Sequence, residues 1–177
     1  MLLICTSVAV AQNRNHDLLR QGLKLIPSHS SFPFDSGHLV VIEHYTDFIK
    51  AHPELQARPD LQQSGKQLYA FTISQSWPIY FNFEGHEILT EAYSRPGGEW
   101  VAYLVAAVLT HEAVHARGDS RESAALSEEL KLDRLFYSQK KLPLHFDMAA
   151  LMEQYRAALE EERRVINPSS DIGSSKP

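Results

Sequence analysis

Two histidines of this chain are spaced so that they could hold one metal ion. His111 and His115 lie four residues apart in the run His-Glu-Ala-Val-His, inside a segment rich in Ala and Leu that contains no Gly or Pro. Residues four apart on an α-helix lie one turn above each other on the same face, so both imidazole rings can reach the same ion. Glu112 lies close to that face, where its carboxylate can stand beside a metal-bound water rather than bind the metal itself.

This arrangement predicts zinc-dependent hydrolysis. Zinc lowers the pKa of a bound water toward neutrality, and a neighbouring carboxylate can take the proton as the water attacks a carbonyl carbon. The only cysteine, Cys5, lies in an apolar N-terminal run, so a thiolate site cannot be built and the metal must be held by nitrogen and oxygen. We therefore predict Zn²⁺ as the cofactor, His111 and His115 as ligands, and Glu112 as the general base.

The motif supplies two ligands, whereas a catalytic zinc takes three from the protein and leaves a fourth position for water. The next predicted helix offers Glu122, Glu128 and Glu129 as the third. Gly118 can adopt the left-handed conformation that ends many helices, and a sharp turn there would bring the start of the next helix back to the metal. Glu122 fits this position best. Glu129, two turns further on the same face, is the alternative, and Asp133 could then hydrogen-bond a ligand histidine.

The segments around the motif predict an α+β fold. Apolar residues recurring at three and four positions predict helices, and two runs rich in β-branched and aromatic residues predict a small sheet. Pro96-Gly97-Gly98 breaks the chain just before the motif helix. The predicted helices cover residues 16–26, 36–51, 99–117, 120–137 and 147–165, and the predicted strands cover 68–73 and 78–83, with a third strand or a turn near 88–93.

The two ends of the chain predict its domain boundaries. Residues 1–11, MLLICTSVAVA, resemble the apolar core and cleavage site of a secretory signal, although the usual preceding positive charges are missing. This pattern favours an exported protein, periplasmic or secreted; the alternative is a cytoplasmic protein with a strand or buried arm at its N-terminus. We expect a possible signal peptide over 1–11, one domain over 12–166, and a disordered tail over 167–177.

Composition excludes several classes of partner. A chain of 177 residues can bury a sizeable single core, and its 44% hydrophobic and 22% charged residues are typical of a globular protein. A net charge of −5 gives no electrostatic footprint for nucleic acid. No segment is apolar for the roughly 20 residues that a membrane span requires. The expected partner, a peptide or protein substrate, follows instead from the hydrolytic motif.

The stretch HEAVHARGDSRESAALSEE, residues 111–129, resembles the gluzincin branch of the zincin-like metallopeptidases. More narrowly, it is similar to small bacterial proteins in which a Glu-x-x-Ala segment closely follows the motif helix; here that segment is Glu122-Ser123-Ala124-Ala125. The resemblance extends over about residues 65–137. Two departures are a short gap between His115 and Glu122, and Leu126 where an acidic residue often stands behind the ligands.

The resemblance implies a zincin-like fold, with a small sheet packed against the motif helix and the ligand helix, and extra helices at both ends. An edge strand would lie above the cleft; residues 78–83 are the candidate, with an interior strand as the other interpretation. Glu112 would be the general base, and His111, His115 and a glutamate the ligands. The candidates for stabilising the oxyanion are Tyr93, Tyr137 and His145, each of which also suits a packing or surface role.

Three functional hypotheses follow. The first is a zinc-dependent hydrolase, and more specifically a metallopeptidase. The second is a binding or regulatory protein that retains the zincin scaffold without catalysis, since the small chain leaves little material for substrate subsites. The third is a structural protein in which the motif is accidental, and it requires the two imidazole rings to diverge.

Overall fold

A three-stranded sheet and several helices make up the protein. The computed structural model describes residues 3–26, 38–57, 61, 69–73, 75–85, 87–143 and 146–166. Its helices are α1 (Leu3–Leu25), α2 (Tyr45–Ala51), α3 (Glu87–Tyr93), α4 (Trp100–Ala116), α5 (Glu122–Ser138) and α6 (Met148–Ile166), with a short 3-10 helix at Pro53–Ala57. Its strands are β1 (Leu39–Ile42), β2 (Ala70–Ile73) and β3 (Ser76–Asn82). The predicted α+β class is confirmed.

The strand β3 lies in the middle of the sheet. It pairs in parallel with β1 and antiparallel with β2, so the strand order is β1-β3-β2. Residues 78–82 therefore belong to an interior strand of the described sheet. Of the two interpretations of the segment 78–83, the interior strand is confirmed and the edge strand is wrong. The outermost described strands are β1 and β2, of which β2 packs against α4.

The two faces of the sheet bury different sets of side chains, as the two-residue repeat of a strand requires. Ile79 and Phe81 of β3 are fully buried in the core that the sheet shares with α1 and α4. On the opposite face, the rings of Phe71 and Tyr80 stack at 5.3 Å between centroids and pack against Phe48 of α2. The sheet is thus covered on both sides.

The helix that carries the motif, α4, is the centre of the molecule. It packs against α1, α3, α5 and the strands β2 and β3. Its buried positions cover most of the circumference of the helix, and His111 and His115 lie on the remaining, half-buried face. These positions are Val101, Ala102, Val105, Ala106, Ala107, Leu109, Thr110, Ala113, Val114 and Ala116. The predicted helix over 99–117 is confirmed to within one residue at each end.

Two predicted elements are wrong in type. The expected helix over 36–51 contains a strand, β1, and the helix α2 begins only at Tyr45; residues 36 and 37 lie outside the described residues. The run Leu39–Ile42 is rich in β-branched residues and gains the ladder of hydrogen bonds to β3, which outweighs its helix-like spacing. The expected strand or turn near 88–93 is the helix α3, whose Leu89 and Tyr93 pack on the core around α4.

The N-terminal helix is longer than the predicted helix over 16–26. α1 begins at Leu3 and therefore includes most of the stretch that resembles a signal peptide. The predicted tail, 167–177, lies outside the described residues. Among the residues that are described, no helix combines the length and apolar character needed to cross a membrane.

Gly22 allows α1 and α4 to approach closely, and it generates a test of this packing. A Cβ at Gly22 would lie 2.5 Å from Cγ1 of Val105 and 3.3 Å from the carbonyl oxygen of Ala102. We expect Gly22→Ala to lower the free energy of unfolding by about 1 kcal/mol, because overpacking costs about 1–3 kcal/mol and exceeds the gain of about 1 kcal/mol in helix propensity. Urea denaturation measures the change.

The matched control is the pair of changes Gly22→Ala and Val105→Ala in one chain. Removing the Val105 methyl groups makes room for the new Cβ, so the double variant should be more stable than the sum of the two single changes predicts, by about 1 kcal/mol. Strict additivity would contradict the proposed contact.

Candidate metal centre

The last turns of α4 bring the two motif histidines against the first residue of α5. Nε2 of His111 lies 3.5 Å from one carboxylate oxygen of Glu122, and Nε2 of His115 lies 3.3 Å from the other. The two imidazole centroids are 5.1 Å apart. The rings therefore converge on Glu122, and the divergence required by an accidental motif is not observed.

These three residues form a group that could hold a metal ion, since one ligand atom from each lies within 4.8 Å of the others. A tetrahedral zinc with bonds of about 2.0–2.1 Å separates its ligand atoms by about 3.4 Å. The two nitrogen-to-oxygen distances, 3.5 and 3.3 Å, are close to that spacing, with each nitrogen facing a different oxygen of Glu122. The donor set of two imidazole nitrogens and one carboxylate oxygen also suits zinc.

The other nitrogen of each ring has its own partner. His111 Nδ1 lies 2.8 Å from Oε2 of Glu129, and His115 Nδ1 lies 2.8 Å from the backbone carbonyl oxygen of Asp119. Because both partners are acceptors, each Nδ1 donates its proton to them, and each Nε2 faces Glu122 as the atom that a metal would bind in place of a proton. Glu129, the alternative ligand, thus contacts the side of His111 that faces away from Glu122.

A glycine turn at the end of α4 places the Asp119 carbonyl. Gly118 has φ +91°, the left-handed conformation predicted for it. Its N–H donates to the carbonyl oxygen of His115 at 2.8 Å, and the Asp119 N–H donates to that of Val114 at 3.4 Å. This pair of bonds is the Schellman motif, which satisfies two free carbonyls at the helix end. The same turn directs the chain back along α4, so that α5 begins beside the histidines.

A carboxylate from α6 fixes the first turn of α5. Glu162 accepts hydrogen bonds from the backbone N–H of Ser123 at 3.0 Å and from its hydroxyl at 2.6 Å. Free N–H groups at a helix N-terminus need such acceptors, and the negative charge also suits the positive end of the helix dipole. Because Ser123 directly follows Glu122, this contact between helices holds the backbone from which the Glu122 side chain extends.

The ionisable groups of the cluster shift one another's pKa values. Burial raises the pKa of Glu112 to about 7, although the charges of His111 and His115 oppose the shift. The hydrogen bond to Glu122 raises the pKa of His115 to about 9, and the same bond lowers the pKa of Glu122. Burial opposes protonation of His111, but its bond to Glu129 raises its pKa overall. A carboxyl group that titrates near neutrality suits a general base.

The remaining sequence candidates lie elsewhere. The Tyr93 hydroxyl donates to Asp17 of α1 at 3.0 Å, and Tyr137 is exposed on α5, fifteen residues and about 22 Å beyond Glu122. His145 lies outside the described residues. Glu128 forms an ion pair with Lys131.

Among the described residues, Asp133 forms no hydrogen bond to either motif histidine. Glu129 binds Nδ1 of His111, the atom that Asp133 was expected to bind. The Asp119 carbonyl and Glu162 were not identified from the sequence. A backbone acceptor and a carboxylate 39 residues from its partner leave no signal in the spacing of residue types.

No protein-family model matches the chain, and no curated protein or solved structure is significantly similar to it. The resemblance to the gluzincins is thus carried by the motif and the residues that follow it.

The contact between Glu129 and His111 generates the next prediction. We expect Glu129→Gln to weaken zinc binding by about 10- to 100-fold, because the carboxylate that orients the ring and increases its basicity is replaced by a neutral amide. Competition with a fluorescent chelator measures the affinity. Glu128→Gln is the matched control on the same helix and should bind zinc as the native chain does; equal affinity of all three proteins would remove Glu129 from the centre.

Asp133 generates a prediction for stability against pH. Burial, and then the charge of Glu129, raise the pKa of Asp133 from 3.8 to about 7. Between about pH 4 and pH 7 the folded state therefore binds more protons than the unfolded state, and this group lowers the free energy of unfolding as the pH rises. We expect Asp133→Asn to remove that loss and to be more stable than the native chain at pH 8, by about 2–4 kcal/mol.

Urea denaturation of metal-free protein from pH 4 to pH 8 measures this difference. Asp147→Asn, which changes an exposed carboxylate, is the control and should follow the native profile. If Asp133→Asn runs parallel to the native chain across this range, Asp133 does not ionise in a buried environment.

Proposed function

We propose that this protein is a zinc-dependent hydrolase with a zincin-like fold, and that it acts as a metallopeptidase. One observation carries the proposal: the Nε2 atoms of His111 and His115 lie 3.5 and 3.3 Å from the two oxygens of Glu122, while acceptors hold both Nδ1 atoms. Ion pairs of this kind occur without metal, but here one ligand atom from each of the three residues lies within 4.8 Å of the others, and a metal would replace any proton on the Nε2 atoms. His111, His115 and Glu122 are the proposed ligands.

Each residue of the centre has a proposed task. A bound zinc would supply an acidified water and polarise a carbonyl group. Glu112 is close enough to both histidines for their charges to affect its pKa, and it is not part of the three-residue group. It would accept the proton of the attacking water and deliver it to the leaving group. Glu129 and the Asp119 carbonyl would keep the histidine rings oriented.

The sheet supports a peptide as the substrate. β2 is the outermost described strand on one side, and it packs against α4, which carries the histidines. An extended peptide can add to such an edge through main-chain hydrogen bonds, which recognise any sequence. The proposed peptide-binding edge is therefore Ala70–Ile73 and not residues 78–83.

The proposal predicts one zinc per chain and a metal-retaining inactive variant. We expect Glu112→Gln to keep zinc and to lower the turnover of a cleaved peptide by about 10²- to 10⁴-fold, because general-base catalysis contributes that much. Elemental analysis measures the zinc, and mass spectrometry of a peptide library measures cleavage. Glu122→Gln should lose zinc, because a neutral amide replaces the carboxylate ligand.

The controls separate the alternatives. Glu128→Gln should keep both zinc and turnover. A native protein without zinc would reject the metal centre, and full activity of Glu112→Gln would reject the role of Glu112. A zinc-loaded native chain that cleaves nothing would instead favour the non-catalytic binding or regulatory protein.

A further inference from the structure

A cavity of about 270 Å³ adjoins the candidate metal centre. Most of its wall is apolar, and Val108, one turn before His111, belongs to it. Glu129 also lines it, and the same carboxylate binds His111 Nδ1, so the cavity and the centre share a wall. Tyr69 and Asp147, which are both exposed, line its solvent side. The principal apolar side chains are Leu89, Leu104, Val105, Val108, Phe146 and Leu151.

One polar group in this wall is unsatisfied. Asp133 is only 1% exposed, and its Oδ1 has no hydrogen-bond partner among the described residues. The ion pairs found in the described part of the chain do not include Asp133, and no Lys, Arg or His is among the described residues that line the cavity. The cavity is therefore apolar with an acidic wall.

Such a carboxyl group is costly for the fold. Burying a charge without a partner is unfavourable, and proteins retain unsatisfied buried polar groups mainly at functional sites. The described wall also carries the polar side chains of Tyr69, Glu129, Asp147 and Gln154, and none of these is a cation. A cation at the end of a hydrocarbon chain would satisfy both parts of the surface.

We propose that this cavity binds a side chain with an apolar stem and a terminal cation, as in lysine or arginine. The stem would lie against Leu104 and Val108, and the cation would bind Asp133, whose carboxyl group must turn toward the cavity because it is only 1% exposed. Asp133 lies four residues beyond Glu129 on α5, a rise of about 6 Å, so a short side chain entering beside the centre would not reach it. Where the side chain belongs to a peptide substrate, the inference rests on the proposed function. It then names the substrate class, which is peptides with a basic residue next to the scissile bond.

Binding of two small probes to the metal-free full-length chain tests the cavity without any turnover. Butylammonium carries the stem and the cation, and 1-butanol has the same stem without the charge. Calorimetry at pH 8 should show butylammonium binding at least about tenfold more tightly than 1-butanol, because a charge-assisted bond to a buried acid is the difference. Equal binding of the two probes, or binding of neither, would overturn the proposal.

Two variants locate the site. Asp133→Asn should weaken butylammonium binding by about tenfold or more, while Asp147→Asn, which changes an exposed acid on the rim, should weaken it by no more than about fivefold. Native affinity in Asp133→Asn would place the cation elsewhere and overturn the assignment. If Asp133→Asn does not fold, the comparison of butylammonium with 1-butanol on the native chain still decides.

Zinc titration of the same samples separates this inference from the proposed function. Zinc binding without preference for butylammonium would reject the basic pocket and leave the metal centre standing. Preference for butylammonium without zinc binding would support the cation site and reject the peptidase.

Paired peptides complete the test on zinc-loaded protein. Replacing the lysine next to the cleaved bond by norleucine should lower kcat/KM by about tenfold or more in the native chain and by much less in Asp133→Asn. An equal loss in both proteins would contradict the role of Asp133.

Discussion

The hydrogen bonds behind the two motif histidines are the interactions on which the candidate centre depends. An imidazole ring on a surface helix can rotate and can carry its proton on either nitrogen. Here the Glu129 carboxylate and the Asp119 carbonyl each accept a bond from Nδ1, which fixes the ring orientation and keeps a proton on Nδ1. Both Nε2 atoms then face Glu122, so the two motif histidines can bind a metal on the side where the third proposed ligand lies.

That arrangement requires α4 to be rigid, and the burial of α4 makes it rigid. Helices and strands cover α4 on several sides, and Gly22 permits α1 to approach without a side chain between the two backbones. The closely packed surroundings leave little room for α4 to shift. The position of the helix end is also fixed, because the Schellman turn at Gly118 satisfies two of its carbonyls and directs the chain back to the histidines.

The acidic residues around the centre have different surroundings, and their protonation follows from these. Glu122 lies beside two imidazoles and is held ionised, whereas Glu112 is buried close to the same rings and titrates near neutrality. Asp133 is buried on the same helix that supplies Glu122 and Glu129, and its Oδ1 has no hydrogen-bond partner among the described residues. A buried acid without a partner weakens the fold, so its presence beside the centre is more easily explained by a ligand than by stability.

Some of this architecture was determined by the sequence alone. The central helix could be predicted because the chain is apolar from Trp100 to Leu109, lacks Gly and Pro as far as Ala116, and has Gly118 to mark its end. The convergence of His111 and His115 follows from helix geometry, and the position of Glu122 follows from a short turn; these are local constraints.

Tertiary structure decided the rest. The strand β1 was expected to be helical because its spacing fits both structures, and pairing with the distant β3 made the choice. Glu129 was the alternative ligand, and only the packing of α5 against α4 placed it on Nδ1 of His111, the role considered for Asp133. Glu162 reached Ser123 because α6 packs beside α5. Each of these contacts joins segments far apart in the chain, and their free energy depends on distances that no local pattern contains.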